Sequence, residues 1–261
     1  NNCLGTIYEN KNDFKKAEYH FLESLNKKPD NLGVLQRLVK FYKDRSQYKK
    51  AIQIYRKIYT LKPKADIIKE IAILSEKIED YAEALTCYEK ILEEDNTRYE
   101  LLFNIANLSF LVGKPYDSLY ACKLGLNIFP DNLKLLLIMG KCYHAIKKYK
   151  KAIMSFEKGL EIDPQNIEIL RNFIRLCEET GTLKKGLELC KTALKMGKPD
   201  YELMYYLGLF SLKGGKPDQA FEYFEKAGKL NPNGFEVWYQ IGLYNSSKDD
   251  HTKAAACFQR A

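Results

Sequence analysis

Apolar residues recur along the chain at i, i+3, i+4 and i+7, the spacing that gathers them on one face of an α-helix. The stripes come in pairs, each pair bounded by turn-forming residues. Between Leu133 and Asn166 the pattern predicts one helix over roughly 133–146 and a second over roughly 149–162. The same pattern returns from end to end. A small residue at Ala17 is followed by Ala51, Ala84, Ser118, Ala152, Gly186, Ala220 and Ala254, in steps of 34 residues with one step of 33. Four residues after these stand Phe21, Tyr55, Tyr88, Phe156, Phe224 and Phe258, with Cys122 and Cys190 in the fourth and sixth copies. Twelve residues before them stand Gly5, Val39, Ala72, Ala106, Gly140, Ile174, Gly208 and Gly242. Twelve residues after them lies a turn, marked by Pro29, Pro63, Asn96, Pro130, Pro164, Lys198 (beside Pro199) and Pro232.

A physical cause fits this period. Neither helix of a pair can bury its stripe alone, so the two fold into a hairpin and the hairpins stack on their neighbours. Close approach needs a small residue at the crossing, and Gly140 facing Ala152 would supply it. In the sixth copy the large Ile174 would be matched by the shrunken Gly186, keeping total volume. All eight prolines fall in predicted turns, Pro115 and Pro217 at the turn inside a pair. None falls inside a helix, where each would cost about 3 kcal/mol. Gly113, Gly181 and Gly215 sit where first helices should end, suited to a left-handed cap.

These positions resemble the tetratricopeptide-repeat family, whose pattern is W-x2-L-G-x2-Y followed by Ala, Phe and Pro. The last copy shows it in Trp238, Ile241, Gly242, Ala254 and Phe258; the first in Leu4, Gly5, Tyr8, Ala17, Phe21 and Pro29; the fifth in Met139, Gly140, Tyr143, Ala152, Phe156 and Pro164. The resemblance covers essentially the whole chain. It implies an all-α fold, a right-handed superhelical solenoid of antiparallel helix pairs. The repeats would be 1–31 (partial), 32–64, 65–98, 99–132, 133–166, 167–200, 201–234 and 235–261 (partial), within a single domain spanning 1–261. Both ends fall within a repeat and neither carries a polar capping helix, so a piece of a longer chain is expected, with open ends that allow self-association.

Composition changes the picture little. Apolar residues at 46% and charged residues at 29% exclude disorder. The net charge of +8, with both signs interleaved, permits an acidic partner without requiring one. Seven scattered cysteines form no CxxC and share no zinc spacing with histidine, so they read as small core residues in a reducing compartment, which makes the cytoplasm the expected location. No apolar run is long enough to span a bilayer. Catalytic chemistry finds no footing. Gly214–Gly215–Lys216–Pro217 is too short for a phosphate loop. His20, His144 and His251 lie in separate copies, and the neighbouring acids Glu178 and Glu179 diverge on a helix. No enzyme activity, metal or cofactor is expected.

The family resemblance supplies the candidate site. In that family the first helix of each pair lines the concave face, and the second, fifth, sixth and ninth residues of a repeat point inwards. Carried over, this gives Gln36, Arg37 and Lys40; Lys69 and Ile73; Phe103, Asn104 and Asn107, with Phe110 close by; Lys134, Leu137, Ile138 and Lys141; Arg171, Asn172 and Arg175; Tyr205, Tyr206 and Leu209; and Tyr239, Gln240 and Leu243. Helical spacing puts Asn104 with Asn107, and Arg171 with Arg175, on shared faces. Asparagine amides can grip a peptide backbone, arginine a carboxylate, and tyrosine supplies rigid apolar area. A partner protein or peptide with acidic residues is therefore expected, and the function read from the resemblance is that of a binding scaffold in a multiprotein assembly. A chaperone-tail clamp is incomplete, because Lys69, Asn104 and Lys134 match it but Ile73 and Ile138 replace its other two members. Asn104 and Asn172 resemble two rungs of the asparagine ladder in glycosyltransferase arms, which leaves a targeting arm of a larger enzyme as an alternative. Lysine pairs at 15–16, 49–50, 150–151 and 184–185 form a ridge broken by Glu83, Asp117 and Asp218. That ridge keeps nucleic acid as a less favoured partner.

Overall fold

The structure, a computed structural model, describes residues 2–197 and 199–261. Asn1, the expected first residue of a partial repeat, and Lys198, expected in a turn, lie outside the described residues. The described residues form sixteen α-helices and one 3-10 turn, with no strand. The chain divides into two compact units, Asn1–Ile128 and Phe129–Ala261.

The first unit holds four antiparallel pairs: α1 (Asn2–Asn10) with α2 (Phe14–Lys27), α3 (Leu32–Lys43) with α4 (Tyr48–Leu61), α5 (Ala65–Lys77) with α6 (Tyr81–Glu94), and α7 (Leu102–Leu111), preceded by the 3-10 turn Tyr99–Leu101, with α8 (Pro115–Ile128). The second unit holds α9 (Leu133–Ala145) with α10 (Tyr149–Ile162), α11 (Ile167–Thr180) with α12 (Leu183–Met196), α13 (Tyr201–Lys213) with α14 (Pro217–Leu230), and α15 (Phe235–Ser247) with α16 (His251–Arg260). The fold is therefore an all-α solenoid of antiparallel helix pairs, and α9 and α10 fall on the two helices that the apolar stripes predict.

Short polar side chains start the helices. Asn132 and Asn166 accept the backbone N–H of Leu135 and Ile169, each at 3.2 Å, and Asp200 accepts that of Leu203 at 2.8 Å. Pro115 and Pro217 open α8 and α14, where a missing N–H costs nothing. The turn inside every pair is closed by one residue at positive φ. Gly113, Gly181 and Gly215 take that role, as their sequence positions suggest, but Asn12, Ser46, Glu79, Lys147 and Asp249 take it in the other pairs. The next residue then donates its N–H to the carbonyl five positions back, as Lys148 does to Tyr143 at 2.8 Å, which closes a Schellman-type cap.

The cores differ from expectation in two contacts. A Cβ on Gly140 would overlap the ring of Phe156, not Ala152. Gly5 meets Phe21, Gly208 meets Phe224 and Gly242 meets Phe258 in the same way. The small residue of the first helix therefore clears a hole for the aromatic ring sixteen positions later. In the sixth pair Ile174 takes the place of the glycine and Cys190 that of the ring, and both are buried. Gly186, expected to compensate Ile174, makes room instead for Phe210 of the next pair. The fourth pair has small residues throughout, with Ala106, Ser109 and Cys122 where the fifth has Gly140, Tyr143 and Phe156.

In the first unit Phe21 and Phe41 pack edge to face at 5.8 Å, and the Arg45 guanidinium lies 3.8 Å from the Phe41 ring centre. In the second unit the single tryptophan, Trp238, donates from Nε1 to the Pro232 carbonyl at 2.9 Å. Its ring lies against Gly228 of α14, and the Arg260 guanidinium of α16 sits 3.8 Å from its ring centre. No helix among the described residues is long and apolar enough to cross a membrane.

Candidate functional site

The first helices carry the site candidates, and each unit presents its own set. In the first unit Lys69 on α5 and Phe103, Asn104, Asn107 and Phe110 on α7 are half-buried. Asn104 hydrogen-bonds the Tyr88 hydroxyl, and Tyr88 in turn donates to Glu76 at 2.7 Å. One amide of the expected ladder is thus held by a buried phenol whose pKa is raised by burial and by Glu76. Gln36 and Lys40 line an open depression of about 450 Å³ with Lys43, Asp44 and Tyr55. Arg37 bonds the Thr6 hydroxyl of α1.

In the second unit three of the candidate cations are engaged by acids that cap or belong to the next first helix. Lys141 on α9 pairs with Glu168 on α11 at 2.9 Å. Arg171 pairs with Asp200, the N-cap of α13, and Arg175 pairs with Glu202 at 3.1 Å. Arg175 also hydrogen-bonds the Tyr206 hydroxyl, the largest cause of its raised pKa, ahead of Glu202. Asn172 donates to the Glu168 carbonyl of its own helix at 2.8 Å. Leu137, expected on the open face, is buried with Ile138 in the core, because the hydrophobic stripe of α9 is wide enough to include both. Lys134 is exposed at the start of α9.

The aromatic members come together. Tyr205 stacks on Tyr201 with ring centres 6.3 Å apart and planes 3° apart, and contacts Tyr206 and Phe224. Tyr201 donates to Glu236 of α15 at 3.1 Å. Tyr239, 49% exposed, lies over Phe258 at 5.8 Å. Tyr205, Phe235, Tyr239 and Gln240 line an open cleft of about 630 Å³, in the size range of peptide and small-ligand sites. Phe235 is 59% exposed, and the reading of the sequence missed it because it opens its helix ahead of the inward positions. The cavity beside Arg171 and Tyr206 holds only about 20 Å³, room for one water.

The remaining polar clusters are structural. Glu178 binds Lys213 at 2.6 Å and Glu179 binds His144 at 2.7 Å, so these adjacent acids do diverge. The lysine pairs are partly neutralised: Lys16 by Asp13 at 3.1 Å, Lys50 by Glu18 at 2.7 Å and Lys185 by Glu157 at 3.2 Å. No disulfide joins the seven cysteines; four are buried, two half-buried and Cys3 exposed. Burial pushes the thiols of Cys177 and Cys190 up to about 12 and that of Cys87 to about 11.

The tetratricopeptide-repeat profile matches residues 32–64 and 235–261. The profile described as anaphase-promoting complex, cyclosome, subunit 3 matches 77–159, and that of the TT21 fifth ARM repeats domain matches 136–245. Human protein O-mannosyl-transferase TMTC3 is 23% identical over 210 residues, which are 74% of this chain and 23% of that protein. The chain thus spans about a quarter of that relative's length. PilF of Pseudomonas aeruginosa superposes with a TM-score of 0.61 at 15% identity over 82% of this chain and 96% of that one. MamA (41-end) of Desulfovibrio magneticus RS-1 gives 0.59 at 23% identity over 62% and 92%. These two structural likenesses show the fold.

Proposed function

The chain belongs to the tetratricopeptide-repeat family, and from that premise we propose that it is a protein-interaction scaffold that holds a partner segment against the first-helix face of its second unit. The aromatic cleft between α13 and α15 carries this reading: Tyr205, Phe235 and Tyr239 offer rigid, half-exposed rings beside the Gln240 amide. Tyrosine gives large contact area for little rotamer entropy, which is why it recurs at interaction hot spots. Arg171, Arg175 and Lys141 surround the neighbouring turns, but their carboxylate partners are already present in the chain. Acidic residues of a partner would exchange with these pairs, contributing specificity more than affinity. In the first unit Asn107 and Phe110 of α7, with Lys69 of α5, offer a second stretch of the same kind. The buried thiols, none of them in a disulfide, favour a reducing compartment such as the cytoplasm.

A photo-crosslinking residue at position 239 tests the reading. It should capture a discrete partner, with capture lost on Tyr205→Ala, whereas the same probe at Lys195 on α12 should capture little. Equal labelling from both positions would refute it. A second reading is favoured by the likeness to an O-mannosyl-transferase: the chain would be the targeting arm of a larger enzyme. A catalytic domain in the full-length protein would decide for that reading, and the cleft would then select the enzyme's substrate protein.

A further inference from the structure

The first unit holds a second cavity, away from the residues above. It is an open pocket of about 370 Å³ between α6, α7 and α8. Of the small residues at the centre of the fourth pair, Ser109 lines it. Ser109 occupies the place held by Tyr42 and Tyr143 in the second and fifth pairs and by Ser75 and Ser211 in the third and seventh. The floor is apolar, formed by Leu102, Ile105 and Leu124. The Ser109 hydroxyl lines this floor, fully buried and without a hydrogen-bond partner. Ser75, one pair earlier, has the same orphan hydroxyl, so the hydroxyl alone defines nothing; the cavity above Ser109 does.

Charge sets the occupant. Glu89, Glu93 and Asp117 stand on the cavity wall and no cation does. This inverts the balance of a chain that carries +8. Burial raises the pKa of Glu89; Lys114 nearby opposes the rise, and Asp117 and Glu93 add to it. Tyr120, 67% exposed, stands at the mouth with its ring available to a cation, and Tyr116, 65% exposed, lies one turn before it.

We propose that this cavity between α6, α7 and α8 receives an arginine or lysine side chain from a partner protein. The aliphatic stem would lie on the leucine and isoleucine floor, the charged head would meet the carboxylates, and the Ser109 hydroxyl would gain the partner it lacks. The site is independent of the aromatic cleft in the second unit.

Blocked tripeptides test it: N-acetyl-Leu-Arg-Leu-amide against its citrulline counterpart, which keeps the shape and loses the charge. Titrated into the 15N-labelled chain, the arginine peptide should shift amides of residues 89–93, 105–109 and 117–124. It should bind at least about fivefold tighter than the citrulline peptide, with the difference shrinking as salt rises. Glu89→Gln with Glu93→Gln should erase the preference, and Tyr205→Ala should leave it intact. Ser109→Tyr should fill the cavity and abolish binding. Equal affinity for the two peptides, shifts confined to other residues, or a preference that survives the double glutamine variant would each overturn the proposal.

Discussion

The fourth helix pair (α7 with α8) and the fifth (α9 with α10) share a hairpin turn with one residue at positive φ, yet one is built around a glycine–aromatic contact and the other around small side chains. In the fifth pair Gly140 admits the Phe156 ring and Tyr143 fills the adjoining space. In the fourth, Ala106, Ser109 and Cys122 occupy those places, all buried, and Ser109 also lines the pocket of about 370 Å³ between α6, α7 and α8. The turn is the same because backbone capping sets it: Lys114 donates to the Ser109 carbonyl at 2.8 Å, as Lys148 does to that of Tyr143. The comparison separates two things the repeat does. Turn and cap fix the hairpin, while the glycine–aromatic plug contributes stability and varies from pair to pair.

Removing the plug should give the largest effect. Phe156→Ala should cost about 3–5 kcal/mol, read as a lower urea midpoint, whereas Cys122→Ala should cost less than about 1 kcal/mol. Similar losses at both positions would show that the aromatic ring is not what distinguishes the pairs. Exchanging the small residues comes next. Gly140→Ala pushes a methyl into the Phe156 ring and should cost about 1–3 kcal/mol, although alanine is the better helix former. A gain in thermal stability for this variant would break the account of the hole.

Smaller effects test what the pairs share. Gly113→Ala should cost about 1 kcal/mol because its φ is +77°, and Lys147→Gly, at φ +58°, should gain up to about 1 kcal/mol. Calorimetry of the two variants should move melting temperatures in opposite directions. The smallest effect is expected from charge at Glu89 on α6, on the wall of the pocket. Burial raises the folded pKa of Glu89, so its ionisation works against folding once the pH exceeds that folded value. Glu89→Gln should therefore melt slightly higher at neutral pH, and the gain should vanish below the usual carboxylate range, where Glu89 itself is protonated. Glu70 provides the opposite sign: Lys43 holds its pKa down, so its contribution is lost as pH falls.

The helix pairs were legible because the apolar stripes and the 34-residue period are local properties of the chain. The left-handed turns were legible at Gly113, Gly181 and Gly215, but not at Asn12, Ser46, Glu79, Lys147 and Asp249, where capping overrides the residue's own preference. Contact partners were harder. Spacing alone set Gly140 against Ala152 and Ile174 against Gly186, because it marks the small residues without saying which ring they admit. The candidate cations could be placed on first helices, but their neutralisation by Asp200 and Glu202 could not, since those acids sit 29 and 27 residues away on another helix. The pocket had no comparable signal, because serine at the place of Ser109 recurs in the third and seventh pairs as Ser75 and Ser211.

Trp238 gives the chain a built-in local gauge. As the sole indole, lodged between α14 and α16 under the Arg260 guanidinium, it will report by its emission on the surroundings of those helices and on nothing more distant. In a stack whose members touch only their neighbours, denaturant curves followed by fluorescence and by far-ultraviolet ellipticity will part company whenever that end opens before the rest.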